Sequence, residues 1–117
     1  MLKKIILSTF LFSIIAHASV ENLRYKKGDT FTIALPSNPT TGYKWQLAQP
    51  LAVKSIVGIS KSEYKPKKTG LIGSGGTQVF TLRARRQGTI HLIFEYKRPW
   101  EKGTEPAETK EFTIEVV

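Results

Sequence analysis

The chain of 117 residues contains no cysteine. That excludes a disulfide framework, a thiolate metal site, a CxxC redox pair and a thiol nucleophile, so packing and β-ladders alone must hold the fold in any redox compartment. Histidine is almost as scarce, with His17 and His91 the only two. No histidine pair, paired-carboxylate motif or metal-ligand spacing accompanies them, which leaves neither a metal site nor an acid–base constellation for an enzyme, and no cofactor is implied. No stretch carries a helical apolar stripe, no segment repeats and none is of low complexity. Nor is any apolar run long enough for a membrane-spanning helix, which takes about 20 residues; the longest runs only from Ile5 to Ile15.

That run follows Lys3 and Lys4 and precedes Ala16-His17-Ala18, giving a basic start, a short apolar stretch and a small-x-small site. Residues 1–18 therefore read as a signal peptide cleaved before Ser19. Residues 19–117 read as one exported domain, periplasmic or secreted, near the lower end of sizes that bury a self-sufficient core. Acidic side chains are also few: 9 against 18 Lys and Arg, a formal net charge of +9, of which Lys3 and Lys4 leave with the signal peptide. Such a surplus is compatible with nucleic acid, anionic lipid or acidic protein. The basic residues, however, come in scattered pairs such as Lys26-Lys27 and Lys67-Lys68, and no nucleic-acid-binding motif goes with them. The surplus reads as solvated surface, with no nucleic-acid partner and no stable membrane insertion. No sustained apolar surface stripe asks for a second subunit, so a monomer is expected.

Period-two alternation fills the rest of the chain. Phe31, Ile33 and Leu35 share one face of a strand, as do Tyr43, Trp45 and Leu47, then Phe80, Leu82 and Ala84, then Ile90, Leu92, Phe94 and Tyr96, and finally Phe112, Ile114 and Val116. A less regular strand, bulged at Gly58, is expected over Ala52–Ile59. Turn punctuation separates these runs at Lys27-Gly28-Asp29, at the Asn38 loop, over a long stretch from Lys65 to Gly76, at Arg86-Gln87-Gly88 and from Arg98 to Pro106. Seven or eight short strands predict an all-β, immunoglobulin-like antiparallel sandwich, with Trp45, Phe80, Phe94 and Phe112 packing where antibody domains place a disulfide. A small closed barrel fits the same count.

Three turns stand out. In Asn38-Pro39-Thr40-Thr41-Gly42-Tyr43, proline fixes its own φ and pushes Asn38 out of the α region, while Gly42 can reverse the chain through a positive φ. Asn38 is placed to brace the loop as an Asx turn, and Thr40 and Thr41 sit on a stiff wedge. Gly73-Ser74-Gly75-Gly76 lets backbone approach backbone, and it lacks the lysine and the spacing of a phosphate-binding loop. Arg98-Pro99-Trp100 sets two residue types that dominate interface energetics around a stiffening proline, with Trp100 outside the core because Pro99 breaks the ladder after Tyr96.

In this order, separated by strands, the three resemble the loop signatures of chagasin-like inhibitors of papain-type cysteine peptidases. The resemblance covers essentially the whole of residues 19–117. It implies three adjacent loops straddling the active-site cleft of a papain-like enzyme: Thr40 and Thr41 near the catalytic cysteine and histidine, the Gly73 loop along the non-primed side, and Trp100 stacked on the primed side. The expected function is reversible, non-covalent inhibition. An adhesion module with a sugar-binding platform of Trp100 and Tyr43 is the competing reading.

Overall fold

The computed structural model describes residues 20–48, 55–68 and 73–117; the expected signal peptide lies outside them. The alternating runs become strands β1 Val20–Tyr25, β2 Thr30–Ser37, β3 Lys44–Leu47, β4 Val57–Pro66, β5 Gly76–Ala84, β6 Gly88–Lys97 and β7 Glu108–Val116. Two sheets form, one ordered β1-β7-β6-β3 and the other β2-β5-β4. This is the expected immunoglobulin-like sandwich in seven strands, with two separate sheets where a barrel would close one. It is antiparallel except at one edge, where β1 runs parallel to β7, from Val20 opposite Glu111 to Tyr25 opposite Val116.

Two segments depart from expectation. β1 was not anticipated, because only Leu23 and Tyr25 of its six residues turn even partly inward. The strand expected over Ala52–Ile59 begins at Val57 and continues to Pro66; Ala52 to Lys54 lie outside the described residues. Its bulge falls between Ile59 and Lys61, past Gly58. Residues 60–66 show no alternation, and Lys65 and Pro66 read as loop, because they lie on a sheet edge with nearly every residue exposed, where nothing selects for alternation. With Pro66 paired to Gly76, the ladder also shortens the long loop to residues 67–75.

The inward faces supply the core: Phe31, Ile33, Leu35, Val57, Phe80, Leu82 and Ala84 from one sheet, and Trp45, Leu92, Phe94, Phe112, Ile114 and Val116 from the other. Phe80 meets Phe94 across the interface at 4.8 Å between centroids, and Phe94 meets Phe112 edge-on at 5.9 Å. Each large side chain so buried contributes about 1.5–3 kcal/mol.

One polar side chain belongs to this interface. Gln78, buried on β5, reaches across to Trp45 on β3, the edge strand of the opposite sheet. Its Oε1 accepts from Trp45 N at 3.1 Å, and its Nε2 donates to Trp45 O at 3.2 Å and to Ser62 Oγ at 3.2 Å. The carboxamide thus acts as a single-residue surrogate strand, satisfying the edge of β3 and tying the two sheets together. Trp45 adds a second tie through Nε1, which donates to Pro36 O on β2 at 2.8 Å. Both ties sit just below the end of the sandwich from which the Asn38, Gly73 and Arg98 loops emerge.

Candidate functional site

The ladders fix which loops share an end. Ser37 pairs with Gly76, Pro66 with Gly76, Lys44 with Lys97 and Tyr96 with Glu108, so loops 38–43 and 98–107 and the described ends of the second loop, 67–68 and 73–75, leave the sandwich at one pole. Local hydrogen bonds then shape each tip.

In the first loop, Pro39–Thr41 form one 3₁₀ turn with Asn38 as its cap. Asn38 Oδ1 accepts from Thr40 N at 3.2 Å and from the Thr40 hydroxyl at 2.6 Å, while the Thr41 hydroxyl donates to Asn38 O at 2.7 Å. Thr41 N and Gly42 N donate to the carbonyls of Asn38 and Pro39. The brace expected of Asn38 is therefore present. Gly42 ends the turn at φ 85°, a left-handed conformation that disfavours any residue with a Cβ.

Cross-loop contacts hold the three tips together. Asn38 Nδ2 donates to Gly73 O at 2.9 Å, joining the first loop to the second. Arg98 Nε donates to Thr41 O at 3.1 Å, and the same guanidinium lies 4.6 Å over the Tyr43 ring, joining the first to the third. Such a cation–π contact contributes about 0.5–1 kcal/mol where exposed. The Trp100 indole lies over Gly42, so close that a Cβ at that position would come within 2.5 Å of its Cη2. Even so, Trp100 stays 65% exposed, the most exposed large apolar side chain described. Within the third loop, Glu101 N donates to Arg98 O, and the Glu101 carboxylate stands 3.5 Å from Arg98 Nη1.

Of the residues expected to form the site, Asn38, Pro39, Thr40, Thr41, Gly42, Tyr43, Gly73, Ser74, Gly75, Arg98, Pro99 and Trp100 share this surface, Tyr43 half-buried at its base. Gly76 does not. It is the first residue of β5 and buried, and a Cβ there would collide with the Lys65 carbonyl. Its lack of a side chain serves the close approach of β4, so it supports the loop from beneath. Between the first and second loops lies a shallow groove of about 180 Å³, floored by Tyr64 and Pro66.

Tyr96 was read only as a core-facing strand residue, yet it is the pivot of the site. Its hydroxyl accepts from Asn38 N at 3.0 Å, and its ring lies between Tyr43, at 5.2 Å, and Trp45, at 4.8 Å. It connects the core, the first loop and the start of the third. The one sequence cue was its place two residues before Arg98 on an inward-facing row. His91, by contrast, is exposed mid-strand on the outer sheet face, between Thr113 Oγ1 at 3.1 Å and Glu111 Oε1 at 2.9 Å, remote from the loops.

A disulfide-free immunoglobulin-like sandwich that presents three cross-braced loops at one pole is a recognition domain. The family model described as chagasin family peptidase inhibitor I42 matches residues 24–116, and the chain belongs to that family, whose members are inhibitors and not enzymes. Chagasin of Trypanosoma cruzi is 34% identical over 91 residues, covering 74% of this chain and 79% of the relative. The crystal structure of the cysteine protease inhibitor EhICP2 from Entamoeba histolytica superposes with a TM-score of 0.65 at 25% identity, over 87% of this chain and 99% of that one. The fold is shared too with PbICP-C, solved in complex with falcipain-2, at a TM-score of 0.61 and 19% identity over 92% and 96% of the two chains. None of these relatives supports the adhesion reading.

Proposed function

We propose that this chain is a reversible, non-covalent inhibitor of papain-like cysteine peptidases that plugs the active-site cleft with loops 38–43, 73–75 and 98–100. The observation that carries this reading is the bracing of the three tips against one another, through Asn38 to Gly73 and through Arg98 and Trp100 to the first loop. A surface already fixed before docking loses little conformational entropy on binding, which is how a small contact area becomes tight.

The chemistry of the first loop fits a catalytic centre that it must occupy without being cut. Both threonine hydroxyls donate their single protons inward, to Asn38 Oδ1 and Asn38 O. Toward an enzyme they present lone pairs, which suit a donor such as the imidazolium of a cysteine–histidine pair. The carbonyls of Asn38, Pro39 and Thr41 are held by Thr41 N, Gly42 N and Arg98 Nε. Their carbonyl oxygens are therefore not free to enter an oxyanion hole, and the turn does not offer the extended backbone of a substrate. The second loop, with φ of 78° at Gly73 and 82° at Gly75, presents bare main chain for pairing along the cleft. Trp100 supplies the exposed aromatic anchor at the other side.

The N-terminal pattern supports action outside the cytoplasm, in the periplasm or after secretion, and the domain is proposed to act as a monomer. Residues 19–117 titrated against papain at about micromolar concentration should abolish hydrolysis of a small peptide substrate, and the inhibitor should be recovered uncleaved. Papain carboxymethylated on its cysteine should still bind. Undiminished hydrolysis sinks the proposal, and binding only to the unmodified enzyme sinks its non-covalent part.

A further inference from the structure

Two basic clusters far apart in the sequence, Lys26-Lys27 and Arg83 with Arg85-Arg86, are brought together by the fold at the pole opposite the three loops. There the β1–β2 turn carries Lys26 and Lys27, the end of β5 carries Arg83, and the β5–β6 turn carries Arg85 and Arg86. Backbone bonds lock these turns side by side: Gly28 N donates to Ala84 O at 2.7 Å, Ala84 N to Asp29 O at 2.8 Å, and Arg85 N to Ile56 O at 2.7 Å. All five cationic residues are exposed. One acidic side chain, Asp29, stands among them, its Oδ2 already accepting from Lys26 N, and Val117 O reaches the same turn, accepting from Lys27 N at 2.9 Å. The nearest other acid, Glu115, pairs with Arg24 at 3.6 Å. Over the remaining described surface ten Lys and Arg side chains are answered by eight Glu, so most of the net side-chain charge of the described residues lies at this one pole.

We propose that this pole is a docking surface for anionic phospholipid membranes, which holds the domain at a bilayer with its three loops facing away. The shape favours a bilayer over other polyanions. The pole is built of turns and strand ends, with no helix to enter a groove among the described residues, and of its rings Phe31 is buried and Tyr25 is half-buried against it at 3.9 Å between centroids, a poor platform for bases. An acidic protein partner would draw on a large aromatic anchor at the centre of the patch, whereas the exposed apolar side chains beside these cations are the smaller Ile59 and Val117. Anionic lipids need no such match, because they diffuse laterally to meet fixed cations wherever these stand. Attachment is peripheral and electrostatic, and it does not depend on the peptidase reading.

The test uses residues 19–117, which hold every described strand and the whole core. The protein is co-sedimented with phosphatidylcholine vesicles containing or lacking about one third phosphatidylglycerol. Binding should be at least about tenfold stronger to the anionic vesicles at low salt, and should fall steeply as ionic strength passes roughly 0.15 M. Lys27→Glu with Arg86→Glu should weaken it about tenfold or more. Lys67→Glu with Lys68→Glu, an equal charge change at the loop pole, should cost less than about threefold. Equal losses in the two double variants would mean that net charge alone acts, and would overturn the proposal, as would indifference to phosphatidylglycerol. Pole-dependent retention of duplex DNA without vesicle binding would also overturn it, in favour of a nucleic-acid partner.

Discussion

Replacing Gln78 by leucine removes the clamp between the sheets while keeping the volume of the side chain. Three hydrogen bonds go with it, and the N–H and C=O of buried Trp45 lose the partner that faces away from β6. A buried backbone group left unpaired costs about 1–3 kcal/mol, so two cost roughly 2–6. Leucine recovers about 1–2 kcal/mol by burying apolar surface where an amide had been desolvated. The expected net loss is about 3 kcal/mol, a large share of the roughly 5–15 kcal/mol that holds a domain folded. For a domain of this size that lowers Tm by roughly 12–24 °C. Urea unfolding followed by Trp45 fluorescence, in a Trp100→Phe background that silences the exposed indole, gives the midpoint directly; the slope should not change. Gln78→Glu separates hydrogen bonding from packing. It keeps an acceptor for Trp45 N, but ionised it sets a negative charge against Trp45 O. Burial and that carbonyl raise its folded-state pKa, so its stability is best at low pH and is lost as pH rises through the raised value. A Gln78→Leu protein within about 1 kcal/mol of the parent would refute the reasoning, because it would mean that Trp45 finds other partners at no cost.

Three substitutions test the loop pole, each read by papain inhibition beside a thermal melt. Trp100→Ala should weaken inhibition more than about tenfold with Tm nearly unchanged, since the ring is mostly outside; a large thermal loss would put its role in stability instead. Gly42→Ala forces a Cβ into a left-handed conformation, costing about 1–2 kcal/mol, and displaces the indole above it, so stability and inhibition should fall together. Tyr96→Phe keeps both ring contacts and orphans Asn38 N, and should loosen the first loop, weakening inhibition about tenfold for a stability loss of about 1 kcal/mol. Unchanged inhibition by that variant would remove Tyr96 from the pivot role.

How much of this was legible depended on whether a residue faces one environment or two. Strands with a buried and a solvated face, such as Thr30–Ser37 and Gly76–Ala84, write their geometry into alternation, and the core residues on them were read correctly. An edge strand exposed on both faces, as over Ser60–Pro66, leaves no such record. Loop tips were readable because their conformations demand particular chemistry: a proline, an Asx cap and a glycine at φ 85°. The residues beneath the tips were not. Gln78 resembles any polar residue on a strand, and Tyr96 any inward-facing aromatic, until the fold sets them 3.1 Å from Trp45 N and 3.0 Å from Asn38 N.

Those two residues also explain how a domain without cysteine keeps a rigid binding pole. A cross-sheet disulfide would restrain the sandwich at its middle, where Phe80, Phe94 and Phe112 already pack. The loops need restraint at the end, where apolar contact runs out and two strands must hold their spacing against water. Gln78 and the Trp45 indole supply directional bonds at that level, and Tyr96 extends them into the first loop. Arg98 and Asn38 then carry the restraint across to the other two tips. Each bond is modest, about 0.5–1.5 kcal/mol net, but the partners are mutually positioned, so losing one loosens its neighbours. Inhibition should therefore fall off non-additively: Asn38→Ala combined with Tyr96→Phe should cost less than the sum of the two single changes, because either alone already frees the first loop. Strict additivity in that cycle would show the tips to be held independently, and the braced pole would not exist as a unit.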